Sequence, residues 1–90
     1  MTRHAWSESD DVAALYLYRF GERPPIATIA GVAKASGMTE ASLRMRMGNF
    51  KAIDLGSGLD NWAKQSESVF RRYADASEEE LFRIAFGGVE

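Results

Sequence analysis

Thr39-Glu40-Ala41-Ser42-Leu43-Arg44-Met45-Arg46-Met47-Gly48-Asn49-Phe50-Lys51 is the stretch on which the fold turns. It follows an Ala-rich run, Ile29-Ala30-Gly31-Val32-Ala33-Lys34-Ala35, across a Ser36-Gly37-Met38 break. Leu43, Met47 and Phe50 recur at i, i+4 and i+7, the spacing of one buried helix face. Thr39 stands where an N-cap belongs. Ala33 lies four residues before Gly37. A small residue at that spacing lets a second helix cross closely, and the glycine supplies a left-handed turn. Two short helices joined by a tight turn are predicted, the pattern of a helix-turn-helix whose second helix carries the basic side chains. Two positions depart from that pattern. Ser36 and Arg46 stand where apolar residues are common. Gly48 costs about 1 kcal/mol in a helix interior; the helix is nonetheless expected to continue, because Phe50 keeps the apolar period.

Toward the N-terminus, a helix is predicted over residues 8–20. Ser7 is its N-cap and Asp10 its capping-box partner. Glu8, Asp10 and Asp11 suit the positive end of its dipole. Val12, Leu15, Tyr16 and Arg19 fall on one stripe, widened by Ala13, Leu17 and Phe20. Gly21 ends the helix, and Trp6 is placed to staple onto its start. Pro24-Pro25 mark a loop. The next helix starts within residues 25–28 and ends near Ser36, burying Ile29, Val32 and Ala33.

Toward the C-terminus, residues 54–59 are expected to form a loop. A fourth helix is predicted over residues 61–74, with Asp60 as N-cap and Trp62, Ser66, Val69, Phe70 and Tyr73 on its inner face. A fifth begins after Ser77, paired with Glu80 in a second capping box, and ends at Gly87-Gly88. The expected fold is all-α in a single domain. A three-helix helix-turn-helix core spans residues 6–52, and a C-terminal helical pair spans residues 60–87. Phe82, Ile84 and Phe86 are too many apolar side chains for one small core, so a homodimer through the C-terminal helices is expected.

Composition bounds the function. Apolar residues make up 46% and charged residues 27% of the 90, which is the balance of an ordinary globular domain. No apolar run approaches the roughly 20 residues of a membrane span. The N-terminus turns acidic where a secretory signal would turn apolar, and there is no Cys; a cytoplasmic location is expected. No carboxylate pair, phosphate-cradling glycine loop or nucleophile–base set is legible, so no enzyme activity and no cofactor are expected. His4 has no partner at metal-ligand spacing.

The net charge is -2, which argues mildly against a nucleic-acid binder. Its distribution points the other way. Residues 39–52 carry Arg44, Arg46 and Lys51 against Glu40, a net +2. Residues 75–90 carry Asp75, Glu78, Glu79, Glu80 and Glu90 against Arg83, a net -4. A helix fits the major groove and presents its first residues to base edges. Thr39, Glu40 and Ala41 would enter first. Arg44 would pair with a guanine edge or a phosphate, Ala41 and Met45 would meet a thymine methyl, and Ser42, Lys51 and Lys34 would serve the backbone. Sequence-specific binding of double-stranded DNA, as in a small bacterial or phage transcriptional regulator, is the leading expectation.

The order Trp6, an acidic helix start, Ala14-Leu15-Tyr16-Leu17-Tyr18, Ile29-Ala30, then residues 39–50, Asp54 and Gly58-Leu59 resembles a small helical module near the N-terminus of bacterial HNH-type restriction endonucleases and related defence proteins. The resemblance covers roughly residues 6–73 and is most specific over Ser42-Leu43-Arg44-Met45-Arg46-Met47-Gly48-Asn49-Phe50. It implies a helix-turn-helix-like, Myb-like fold and a DNA-associated role. It does not bring nuclease activity, because the chain has one His and no His-Asn-His cluster. A second expectation stays open: a protein-binding module, such as an inhibitor or adaptor of a restriction or defence complex, in which the charges of residues 39–51 are merely solvated. Arg71-Arg72 is expected to be a solvated pair and Glu78-Glu79-Glu80 a helix start. Tyr16, Tyr18, Trp62 and Tyr73 are expected to pack, and Asn49 to bond the following loop.

Overall fold

A computed structural model describes residues 6–56 and 64–87. The described residues form five helices: α1 (Glu8–Phe20), α2 (Ile29–Ser36), α3 (Glu40–Leu55), α4 (Lys64–Arg72) and α5 (Glu78–Phe86). The all-α expectation therefore holds, with a helical core to which C-terminal helices are added. The expected positions of Asp60 and Trp62, together with His4, Gly58, Leu59 and Gly88, lie outside the described residues.

The caps follow the local chemistry. The Ser7 hydroxyl accepts from the Asp10 backbone N–H, and the Asp10 carboxylate accepts from that of Ser7, so the box closes. Thr28, Thr39 and Ser77 each accept from the N–H three residues on, in Gly31, Ser42 and Glu80. Glu22 reaches forward and accepts from the N–H of Ile29 at 2.9 Å, satisfying a second donor at the start of α2. Gly37 closes α2 at φ 74°, where any Cβ would be strained.

Three boundaries or faces differ from expectation. First, α1 is not a one-sided helix. Residues 11–17 are buried without interruption, because α1 packs against all four other helices. A helix enclosed on every side has no polar face to lose. Phe20, expected on the buried stripe, is 41% exposed. Arg19 leaves the stripe to donate to the Tyr73 and Ala74 carbonyls, capping the end of α4. Second, α3 runs through Gly48 as expected but also through Asp54 and Leu55, ending at Gly56 in the left-handed region. Its last turn is held from α1, where the Tyr18 hydroxyl donates to Asp54 at 2.7 Å. Third, α4 ends at Arg72, two residues short of the expected boundary.

The C-terminal helices dock on α1 individually. α4 lies against α1 and α3, and α5 lies against α1. Around Tyr16, the rings of Phe82 and Phe86 stand edge-on, each 5.7 Å away. Leu81 is fully buried, and only Ile84 stands out, at 38% exposure. Most of the apolar surface expected on α5 thus packs on the core, with Phe82 and Ala85 partly buried and Ile84 exposed.

Candidate nucleic-acid interface

α3 begins three residues after α2, with Gly37, Met38 and Thr39 forming the turn. Its inner side is set by Leu43 and Phe50, both fully buried, with Met47 packed against the cluster. The same side carries Arg46, and there the structure departs most from the sequence reading. Arg46 does not face solvent. Its Nε and Nη2 donate to the two oxygens of Asp11 at 2.5 and 2.7 Å. Gln65 Nε2 donates to Asp11 Oδ2 at 2.5 Å, and Ser66 Oγ to Oδ1 at 3.1 Å. Asp11 is fully buried, so this carboxylate joins α1, α3 and α4 at one point. The guanidinium lies 4.4 Å from the centroid of the Trp6 ring, a cation–π contact that closes the cluster on its outer side.

The electrostatic consequence is direct. Of the three cations in residues 39–52, Arg46 is neutralised internally. The charge offered to solvent is Arg44 and Lys51 against Glu40, a net +1 instead of +2. Arg44 also lies 3.8 Å from Glu40, one turn away, in an exposed pair of the kind worth well under about 1 kcal/mol. It is thus available to another anion.

The other expected contact residues divide into two groups. Glu40, Ala41, Arg44, Met45, Lys51 and, on α2, Lys34 are all exposed. Thr39 and Ser42 are occupied with each other. The Thr39 hydroxyl accepts from the Ser42 N–H at 3.0 Å and donates to the Ser42 hydroxyl at 3.1 Å. They shape the start of α3 more than they offer hydrogen bonds outward. At 100° per residue, Glu40, Arg44 and Lys51 share one edge of the outer face, Ala41 and Gly48 its centre, and Met45 the opposite edge. Ala52, next along this face, is buried, while Leu55 in the last turn is 61% exposed.

Ser36, the other departure from the motif, has a structural use. Its hydroxyl donates to Asp10 at 3.1 Å, tying the end of α2 to the capping box of α1. A cavity of about 310 Å³ lies beside it, walled chiefly by Ala13, Pro25, Ile26, Val32, Ala35 and Phe86. That is the lower limit for a small-ligand site, and the Asp10 carboxylate at its rim is already engaged in holding two helices. The outer face of α3 is the stronger candidate.

The Asp11–Arg46 pair had a signal in the sequence: a carboxylate directly before seven apolar residues, and an arginine at an expected apolar anchor. What the sequence lacked was anything linking two positions 35 residues apart. Comparison with family models, curated proteins and solved structures finds no match to this chain.

Proposed function

We propose that the chain is a DNA-binding module that places the first turns of α3 against the major groove of duplex DNA. The supporting observation is the open face itself. After a left-handed glycine turn and a capped start, Ala41, Arg44, Met45 and Gly48 are all exposed, and none takes part in the core. Exposed Lys34 and Lys51 add cations for phosphates at either end of the motif. The resemblance to the helical module of HNH-type restriction proteins favours the same role. A regulator's operator-binding function is the finer form of this proposal.

Fluorescence anisotropy with a labelled mixed-sequence duplex at low salt tests it. Binding should weaken with salt, and Arg44→Ala should lower affinity and, if Arg44 meets a phosphate, reduce the salt slope by about 1. Affinity unaltered by Arg44→Ala, or no binding to duplex at all, contradicts the proposal.

One observation favours the second reading, a protein-binding module. Withdrawal of Arg46 leaves a weakly charged outer face with Met45 standing clear of it at 75% exposure. A purified chain that passes through heparin at low salt supports that reading and opposes the first.

A further inference from the structure

We propose that the outer face of α3 prefers duplexes carrying a pyrimidine C5-methyl group in the major groove, with Met45 and Ala41 as the side chains that meet it. This rests on DNA binding through α3 and turns the expected contact of Ala41 and Met45 with a thymine methyl into a preference for C5-methylated pyrimidines of either kind.

Met45 is the most exposed large apolar residue in the described structure. Ala41 precedes it by one turn, and Gly48 follows at i+3; both are exposed. A Cβ built on Gly48 would meet nothing within 4 Å, so no neighbouring group closes over the strip. Ala41, Met45 and Gly48 therefore form a surface that offers no side-chain hydrogen-bond donor. The charged groups lie beside it on one edge, where Arg44 is already drawn toward Glu40. Their placement suits phosphates, while the strip itself suits base edges.

Base edges in the major groove display donors, acceptors and a single apolar group, the C5-methyl of thymine. Cytosine methylated at C5 displays the same group. An apolar strip pressed on bare polar edges removes them from water without giving them partners, which is unfavourable. The same strip on a methyl group gains contact area, and the flexible, polarizable thioether of methionine adapts to it. Each methyl covered should raise affinity by about fourfold, the equivalent of transferring one methylene-sized group out of water.

The experiment compares three duplexes of one mixed sequence by anisotropy, using the whole chain: one with thymine, one with uracil throughout in its place, and one with uracil and 5-methylcytosine. The thymine duplex should bind several-fold more tightly than the uracil duplex if thymine is the source of the methyl group. The third duplex should recover affinity if methylated cytosine is. Met45→Ala, at a site that contributes nothing to the core, should shrink whichever difference appears to the share met by Ala41, while leaving the salt slope unchanged. Equal affinity for all three duplexes overturns the methyl preference and leaves DNA binding standing. A methyl-dependent difference of undiminished size in Met45→Ala overturns the assignment of Met45. No binding to any of the three at low salt overturns both this inference and the DNA-binding proposal.

Discussion

The guanidinium of Arg46 sits between the Asp11 carboxylate and the Trp6 ring, and so adds nothing to the charge outside the protein. Removing one partner of such a pair strands the other charge in a site with little water. Asp11→Ala should therefore destabilise the chain by about 3–5 kcal/mol, enough to unfold a small domain, while a paired Asp11→Leu, Arg46→Met replacement should cost far less than the sum of its single changes. Urea denaturation of Asp11→Ala, of Asp11→Leu and Arg46→Met singly, and of their double checks this; additive losses would mean that the pair is not coupled. Gly48 gives the opposite case. It is exposed, lies inside α3, and leaves open space for a Cβ. Gly48→Ala should raise stability by about 0.5–1 kcal/mol, chiefly by restricting the unfolded chain. A lower urea midpoint for Gly48→Ala would show that α3 is bent or closely packed there. The helical role of Gly48 was legible from the period of Leu43, Met47 and Phe50. The burial of Arg46 was not, because its partner belongs to another helix.

At the scale of elements, caps and turns were the most legible features. Ser7, Thr28, Thr39 and Ser77 satisfy N–H groups within three residues of themselves, and such chemistry is written locally. The end of α3 was not legible, since Asp54-Leu55 before a glycine-rich run resembles a loop. A tertiary hydrogen bond extends the helix: the Tyr18 hydroxyl on α1 donates to Asp54. That bond, followed by partial burial and the nearby Asp54 charge, pushes the Tyr18 phenol up from 10 to about 12. A raised folded-state value stabilises the protein fully below pH 10, where both states hold the proton. Stability is then lost as the pH rises from 10 toward 12, because the unfolded chain ionises first. Urea titrations across that window should show a decline that is smaller in Tyr18→Phe. An identical pH profile in Tyr18→Phe would show that the bond contributes nothing to the folded state.

For the whole molecule, the decisive feature is that α1 is enclosed. Four helices surround residues 11–17, and α5 completes the enclosure by setting Phe82 and Phe86 against Tyr16. From sequence, α5 looked too apolar for one core because the core was counted as three helices; with α1 central, it has room for a fifth. With Ile84 alone left out, α5 offers little to a second copy. The chain should sediment as a monomer at tens of micromolar, and a stable dimer would mean that a surface other than α5 associates. The same enclosure leaves α3 with an open outer face close to a turn, and the function proposed for the protein depends on that face. The most direct measurement is amide chemical-shift mapping by NMR as mixed-sequence duplex DNA is added at low salt. The account predicts that the largest shifts fall on residues 34–45 and on Gly48, with α5 little affected. Shifts centred on α5 or the α4 surface, or none at all, would contradict it.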